Sequence, residues 1–183
     1  MTTWIAFLRG VNIRSNRRVP MAELRDILIG LGHGDARTWI VTGNAWFSSD
    51  RKDAARLAAD IEADIEAAVE RRFGFEVAVI VRSLEELEAI VAGNPFPDAV
   101  ADPRRFYAVL LSADPKPERL ASVDPAGFAP DVFAAGDRVI YAWYREGLQG
   151  SRLAGLLTDR GLGVTATARN WNTITKMVEL GRG

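Results

Sequence analysis

Trp4-Ile5-Ala6-Phe7-Leu8-Arg9-Gly10-Val11-Asn12-Ile13 changes character halfway along. Trp4 to Leu8 is an apolar run rich in strand formers, the pattern of a strand covered on both faces. Gly10 interrupts it, and a glycine at a strand end marks a bulge, a bend or a close backbone approach. The basic loop Arg14-Ser15-Asn16-Arg17-Arg18 follows. Between Met1 and Ala22 stand four arginines and no acidic residue, a side-chain charge of +4. The whole chain carries −1, which leaves −5 for the rest. Charge sorted in this way creates a local field that the net charge hides.

The arginines have a plain reading, a solvated loop paired with acids elsewhere, and a sharper one, an anion site. Guanidinium forks suit phosphate and carboxylate oxygens. Arg9 is the strongest candidate because a residue at a strand end is held more rigidly than one on a loop tip.

Working outward, Pro20 suits the first position of a helix, where a missing N–H costs nothing. Leu24, Ile27, Leu28 and Leu31 recur at helical spacing, and Gly32 can end that helix. Arg37 to Val41 and Ala45 to Ser48 read as strands flanking the turn signal Thr42-Gly43-Asn44. Asp50 and Asp53 suit the start of a second helix. Leu57, Ile61, Ile65, Ala68 and Val69 form its buried stripe, and Asp60, Glu62, Asp64, Glu66 and Glu70 its acidic exposed side. Phe75 to Val81 reads as a fourth strand. The order β-α-β-β-α-β is that of a ferredoxin-like subdomain.

Ser83-Leu84-Glu85-Glu86 is a capping box that opens a connecting helix, and Asn94-Pro95-Phe96-Pro97 breaks it. The order then repeats as pattern, without sequence self-similarity. Phe106 to Leu111 is a strand, and Pro115 to Val123 carries helix-start signals. Phe128 to Ala134 and Val139 to Trp143 form a hairpin through Gly136-Asp137. Leu153, Leu156 and Leu157 suggest a helix, Gly163 to Thr167 a last strand, and a final helix begins near Asn170. The fold class is therefore α+β: two ferredoxin-like (βαββαβ) subdomains packed together, with a C-terminal helix. Their bounds are 1–82 and 105–183, with a connecting helix and linker over 83–104.

Composition narrows the function classes. A chain of 183 residues, 48% hydrophobic and 26% charged, is an ordinary globular protein. The absence of cysteine excludes a disulfide scaffold, thiolate-bound zinc and a cysteine nucleophile. No apolar run approaches the roughly 20 residues of a membrane span, and no signal peptide is evident. The expectation is a cytoplasmic protein with no membrane partner.

Tests for chemistry mostly fail. The one histidine, His33 in Gly32-His33-Gly34, reads as a surface turn. No Gly-x-Ser-x-Gly occurs, nor a Walker loop. Asp60 and Asp64 lie one helical turn apart, but carboxylates at this density on an exposed face are solvated far more often than metal-bound. Gly161-Leu162-Gly163-Val164-Thr165-Ala166 fits a dinucleotide fingerprint by letter yet follows a helix instead of a strand. No cofactor, metal ligand or catalytic residue is assigned. Trp39, Trp46 and Phe47 could stack bases on an open sheet, and core packing explains them equally well. Arg169-Asn170-Trp171-Asn172-Thr173-Ile174-Thr175-Lys176 offers a second anion candidate. Asn170 can cap the terminal helix there, Asn172 sits in its first turn, and the helix dipole adds positive potential beside Arg169. The plain reading is a capped helix anchored by Trp171.

Three motifs now carry a resemblance. They are Leu8-Arg9-Gly10-Val11-Asn12-Ile13 leading to Pro20-Met21-Ala22-Glu23-Leu24, Thr42-Gly43-Asn44 after Trp39-Ile40, and Arg169 to Lys176. Val81-Arg82-Ser83 and Asn94-Pro95-Phe96 match as well. The chain resembles the DUF1697 family of uncharacterised bacterial proteins over nearly its full length. It departs where Arg14-Ser15 replace the family's glycines and where Val41-Thr42 precede Gly43-Asn44. The resemblance implies two ferredoxin-like subdomains and no established activity.

The leading expectation is a binding protein for a phosphate-bearing or other anionic ligand, a nucleotide or a nucleic-acid end, in a cleft between the subdomains. Arg9, Arg14 and Arg169 would supply charge, and Asn12, Asn44, Asn170 and Asn172 would orient the ligand. The alternatives are an enzyme at the same cleft and a protein-interaction module. Oligomeric state is not legible.

Overall fold

In the computed structural model, residues 1–13, 16–50, 54–121 and 123–183 are described. The chain forms two compact units. One comprises Met1–Glu88 and Met177–Gly183, the other Ala89–Lys176.

The first unit begins with β1 (Thr2–Leu8), α1 (Met21–Gly30), β2 (Gly34–Trp39), β3 (Asn44–Ser49), α2 (Ala54–Phe73) and β4 (Val79–Ser83). Its antiparallel sheet runs β2-β3-β1-β4, with the first strand inside. That position explains the apolar run: Trp4 to Leu8 are all buried. Trp4, Ala6 and Leu8 join Ala45, Phe47, Val79 and Val81 in a core with Leu24 and Leu28 of α1 and Leu57, Ile61, Ile65 and Val69 of α2. Of the stripe expected on α2, Leu57, Ile61, Ile65 and Val69 pack into this core, and Ala68 is half-buried. The helix's expected caps fall at or beside residues 51–53, which lie outside the described ones.

Three details differ from the sequence reading. Pro20 stands just before the first helical residue of α1, with ψ 134°. β2 starts at Gly34 and stops before Ile40, whose φ of 48° turns the chain. His33 is buried against Phe47, ring centroids 4.5 Å apart, instead of lying on a surface turn.

The capping box is formed as spelled. Ser83 N–H donates to Glu86 Oε2 at 2.8 Å, and Glu86 N–H donates to Ser83 Oγ at 3.1 Å. It opens α3 (Leu84–Ala92).

The second unit repeats the topology with β5 (Phe106–Leu111), α4 (Pro117–Ala121), β6 (Val132–Gly136), β7 (Val139–Trp143), α5 (Arg152–Leu156), α6 (Asp159–Leu162) and β8 (Ala166–Asn170). Its sheet runs β6-β7-β5-β8, again antiparallel with its first strand inside. Val109, Leu111, Ile140, Ala142 and Tyr144 pack with Leu153, Leu157 and Leu162. The terminal helix α7 (Trp171–Gly181) follows β8 directly. Trp171 is buried, its ring 4.5 Å from that of Phe106 and 6.3 Å from that of Tyr141. The architecture is α+β, two four-stranded ferredoxin-like units with a C-terminal helix.

Candidate functional site

At one end of the first unit's sheet, the two loops that carry its polar motifs are locked together. Leu8 N–H donates to the Gly43 carbonyl at 2.8 Å. A Cβ on Gly43 would stand 2.6 Å from Val11 Cγ2 and 2.8 Å from Leu8 Cβ, and Gly43 holds φ +75°. Only glycine meets both demands.

Asn12 completes the lock. It holds φ 59°, a left-handed conformation that asparagine tolerates better than most residues. Its Nδ2 donates to the Val19 carbonyl at 2.8 Å and the Val41 carbonyl at 2.6 Å. Its Oδ1 accepts from Val19 N–H at 3.0 Å, and its own N–H donates to the Arg17 carbonyl at 2.9 Å. Both amide hydrogens thus tie Asn12 to Val19, just before α1, and to the 40–43 turn. Asn44 is buried, and its Nδ2 donates to Thr42 Oγ1 at 3.0 Å and the Trp39 carbonyl at 3.3 Å.

On this frame Arg9, Arg17 and Arg18 are exposed. Arg9 is anchored by its backbone, its N–H donating to the Ala78 carbonyl at 2.8 Å. Arg14 lies outside the described residues. The loop leads into α1, whose N-cap is Pro20 and has no side-chain cap hydrogen bond. Glu23 in its first turn pairs with Arg72, Nε to Oε2 2.7 Å. Beside the arginines, Ile13, Ile40 and Val41 are 55%, 46% and 64% exposed.

The second motif lies in the second unit. Asn170 Oδ1 accepts from Thr173 N–H at 3.0 Å and from Thr173 Oγ1 at 2.9 Å, so Asn170 caps α7 as its position predicts. Arg169 is half-buried on the edge strand β8. Its Nη1 donates to Thr167 Oγ1 at 2.9 Å and the Ala168 carbonyl at 3.0 Å. Burial pushes its guanidinium down to about 10, so it stays charged near neutrality. Asn172 is exposed.

Of the seven residues singled out by sequence, Arg9, Asn12 and Asn44 come together at one sheet end. Arg169, Asn170 and Asn172 come together at the start of α7. Sequence reasoning did not find the Asn12 lock, because its partners Val19 and Val41 offer only backbone atoms. Among the described residues no cluster of three or more His, Asp or Glu side chains is built to hold a metal ion. Among the described residues no helix is long and apolar enough to cross a membrane.

The fold and this loop pair define a two-unit α+β protein with a strand-end polar lock. The chain belongs to the family described as "Protein of unknown function (DUF1697)", which matches residues 1–141. The Arg169 motif lies beyond that span. No curated protein matches the chain. A solved structure, that of a conserved bacterial protein from Streptococcus pneumoniae, is similar in fold with a TM-score of 0.78 and 22% sequence identity. That match covers 100% of this chain and 99% of the other.

Proposed function

We propose that the protein binds a phosphate-bearing ligand, a nucleotide or a nucleic-acid end, on the loop between β1 and α1. The observation that carries this reading is the sorting of charge: four arginines and no carboxylate from Met1 to Ala22. Its support is physical. Arg9, Arg17 and Arg18 are exposed, and the bonds of Asn12 to Val19 and Val41 pin the backbone near them, which lowers the ordering cost of binding. The loop runs into a helix start whose dipole is positive and whose N-cap supplies no side-chain acceptor. Asn12 and Asn44 serve by shaping the loop, and Arg9 supplies the best-anchored charge. Arg169, with Asn170 and Asn172 beside it, is a second candidate anion contact in the other unit.

The test is thermal unfolding against inorganic phosphate, pyrophosphate, nucleotides and short oligonucleotides, repeated with Arg9→Ala and Arg169→Ala. A ligand at roughly a hundred times its dissociation constant adds about 2.7 kcal/mol. A shift abolished by Arg9→Ala supports the loop, and one abolished by Arg169→Ala alone moves the ligand to the start of α7. No shift with any compound, together with destabilised variants, makes these arginines structural.

A second reading, a module that docks a protein partner, is favoured by the exposed Ile13, Ile40 and Val41 on the two locked loops. It gains if Ile40→Ser abolishes a partner complex that Arg9→Ala leaves intact.

A further inference from the structure

Away from the arginine loop, the bulged edge of the first unit's sheet forms a pocket of about 400 Å³ against the end of α7. Its floor is one face of three neighbouring strands. Thr3 pairs with Ser48 across β1 and β3, and Trp46 pairs with Arg37 across β3 and β2. Gly34 lies opposite Ser48 on β2, and a Cβ there would stand 2.7 Å from Ser48 Oγ. The glycine therefore lets the β2 backbone approach that hydroxyl closely. Ser48 Oγ is buried and has no hydrogen-bond partner among the described residues. The register of β2 breaks between Gly34 and Arg37, and Asp35 inside the break holds φ 49°. Bulges of this kind re-aim side chains and are common beside binding sites. Glu179 of α7 also lines the pocket.

We propose that this pocket is a site for a purine base of the guanine type. Trp46 is half-buried and offers a flat face for stacking, a contribution any base can use. Arg37 is a forked donor suited to an edge with two adjacent acceptors, the O6/N7 edge of guanine. Asp35 and Glu179 accept only, and suit the N1–H and N2–H₂ donors on guanine's other edge. Adenine lacks the N1–H and places a donor where Arg37 needs an acceptor. Two carboxylates in the wall disfavour a phosphate, and the polar lining disfavours a purely apolar ligand. The volume falls in the usual range for small-ligand pockets, roughly 300–1,000 Å³. The site is separate from the arginine loop. Thr3 and Leu8 lie at opposite ends of β1, five steps of about 3.4 Å apart. The inference does not rest on the anion reading.

The experiment is calorimetric titration of guanosine and adenosine into the full chain and into Arg37→Gln, Asp35→Asn, Trp46→Leu and Arg9→Ala, each first checked by melting. Arg37 and Asp35 are exposed, so those two variants keep the fold. The expected result is saturable guanosine binding about tenfold tighter than adenosine. Arg37→Gln should weaken it about tenfold, Asp35→Asn should erase the preference, and Arg9→Ala should change nothing. The proposal is overturned by no saturable binding of either nucleoside, by equal affinities for the two, by binding unchanged in both Arg37→Gln and Asp35→Asn, or by binding lost in Arg9→Ala.

Discussion

Asn12 reaches across 29 residues to the Val41 carbonyl, 2.6 Å from its Nδ2, and so ties the arginine loop to the turn between β2 and β3. The same side chain bonds Val19 through both its nitrogen and its oxygen. Asn12→Ala removes three hydrogen bonds worth about 1 kcal/mol each and adds about 1 kcal/mol of left-handed backbone strain. A loss of about 3–4 kcal/mol is expected in urea unfolding. Asn12→Gly keeps the φ and should lose about 1 kcal/mol less. If the two variants are equally stable, the backbone at position 12 is not strained.

Gly43 makes the complementary demand from the other loop. Gly43→Ala forces a methyl into Leu8 and Val11 at a φ of +75°. Overpacking of this kind costs about 1–3 kcal/mol and the left-handed conformation about 1 more. The expected loss is about 2–4 kcal/mol. Because the clash falls on the loop that carries Arg9, the ligand-induced thermal shift should shrink with it. Melting the variant with and without pyrophosphate checks both parts.

Glu62 and Glu66 carry a third prediction. On the sequence they belong to the solvated acidic side of α2. In the structure Glu62 Oε1 accepts from Val81 N–H at 2.7 Å, and Glu66 Oε1 from Val79 N–H at 2.8 Å. β4 is an edge strand, and these carboxylates satisfy two of its outward N–H groups. Glu62→Ala with Glu66→Ala should cost about 3–6 kcal/mol, at the rate of two hydrogen bonds to charged groups. Gln at both positions keeps an acceptor and should recover much of it. Recovery by Gln, read from urea midpoints, separates this role from simple charge.

What the sequence disclosed follows how each segment is buried. β5 and β7 have the bounds the apolar runs predict, Phe106–Leu111 and Val139–Trp143, because they are the inner strands of their sheet. Edge strands were misplaced. β8 runs Ala166–Asn170 instead of Gly163 to Thr167, since Gly163 closes α6 at φ 74° and polar Arg169 and Asn170 sit on the edge. β6 starts at Val132, because Pro125–Phe128 form a 3₁₀ turn. β4 starts at Val79, after Gly74 turns the chain at φ 75°. In the site, the arginines were visible as charge. The Asn12 lock and the Glu62 and Glu66 bonds were not, because each joins a side chain to the backbone of a distant segment, and backbone acceptors and donors leave no trace in residue type.

Tyr144 gives a pH prediction. Burial raises its pKa well above the usual tyrosine value, helped by the nearby Tyr107 and Asp131. The unfolded chain releases this proton near pH 10 and the native state keeps it, so its contribution is full below pH 10 and lost as pH climbs above. Arg169 opposes it: burial holds its native value down to about 10, below the ordinary guanidinium value, so it adds stability as pH rises above 10. Tyr144→Phe should therefore raise the midpoint of alkaline unfolding, while leaving Arg169's opposite trend in place. An unchanged alkaline midpoint would show that the Tyr144 hydroxyl ionises freely in the native state.

Salt offers the sharpest check on the arginine loop. A phosphate held by exposed Arg9, Arg17 and Arg18 competes with counterions, and the screening length falls from about 30 Å at 0.01 M salt to about 10 Å at 0.1 M. For a short single-stranded oligonucleotide each contacted phosphate contributes about −0.7 to the slope of log K against log salt. Three contacts predict a slope of about −2. Arg17→Gln should reduce its magnitude by about 0.7 and weaken binding uniformly across sequences, since a phosphate contact reads no base. Asn12→Ala should behave differently. It loosens the loop without removing a charge, so affinity falls while the slope stays near −2. A flat salt dependence in the unaltered protein would mean that the arginines do not meet the ligand, and the exposed Ile13, Ile40 and Val41 would then be the part of this surface that binds.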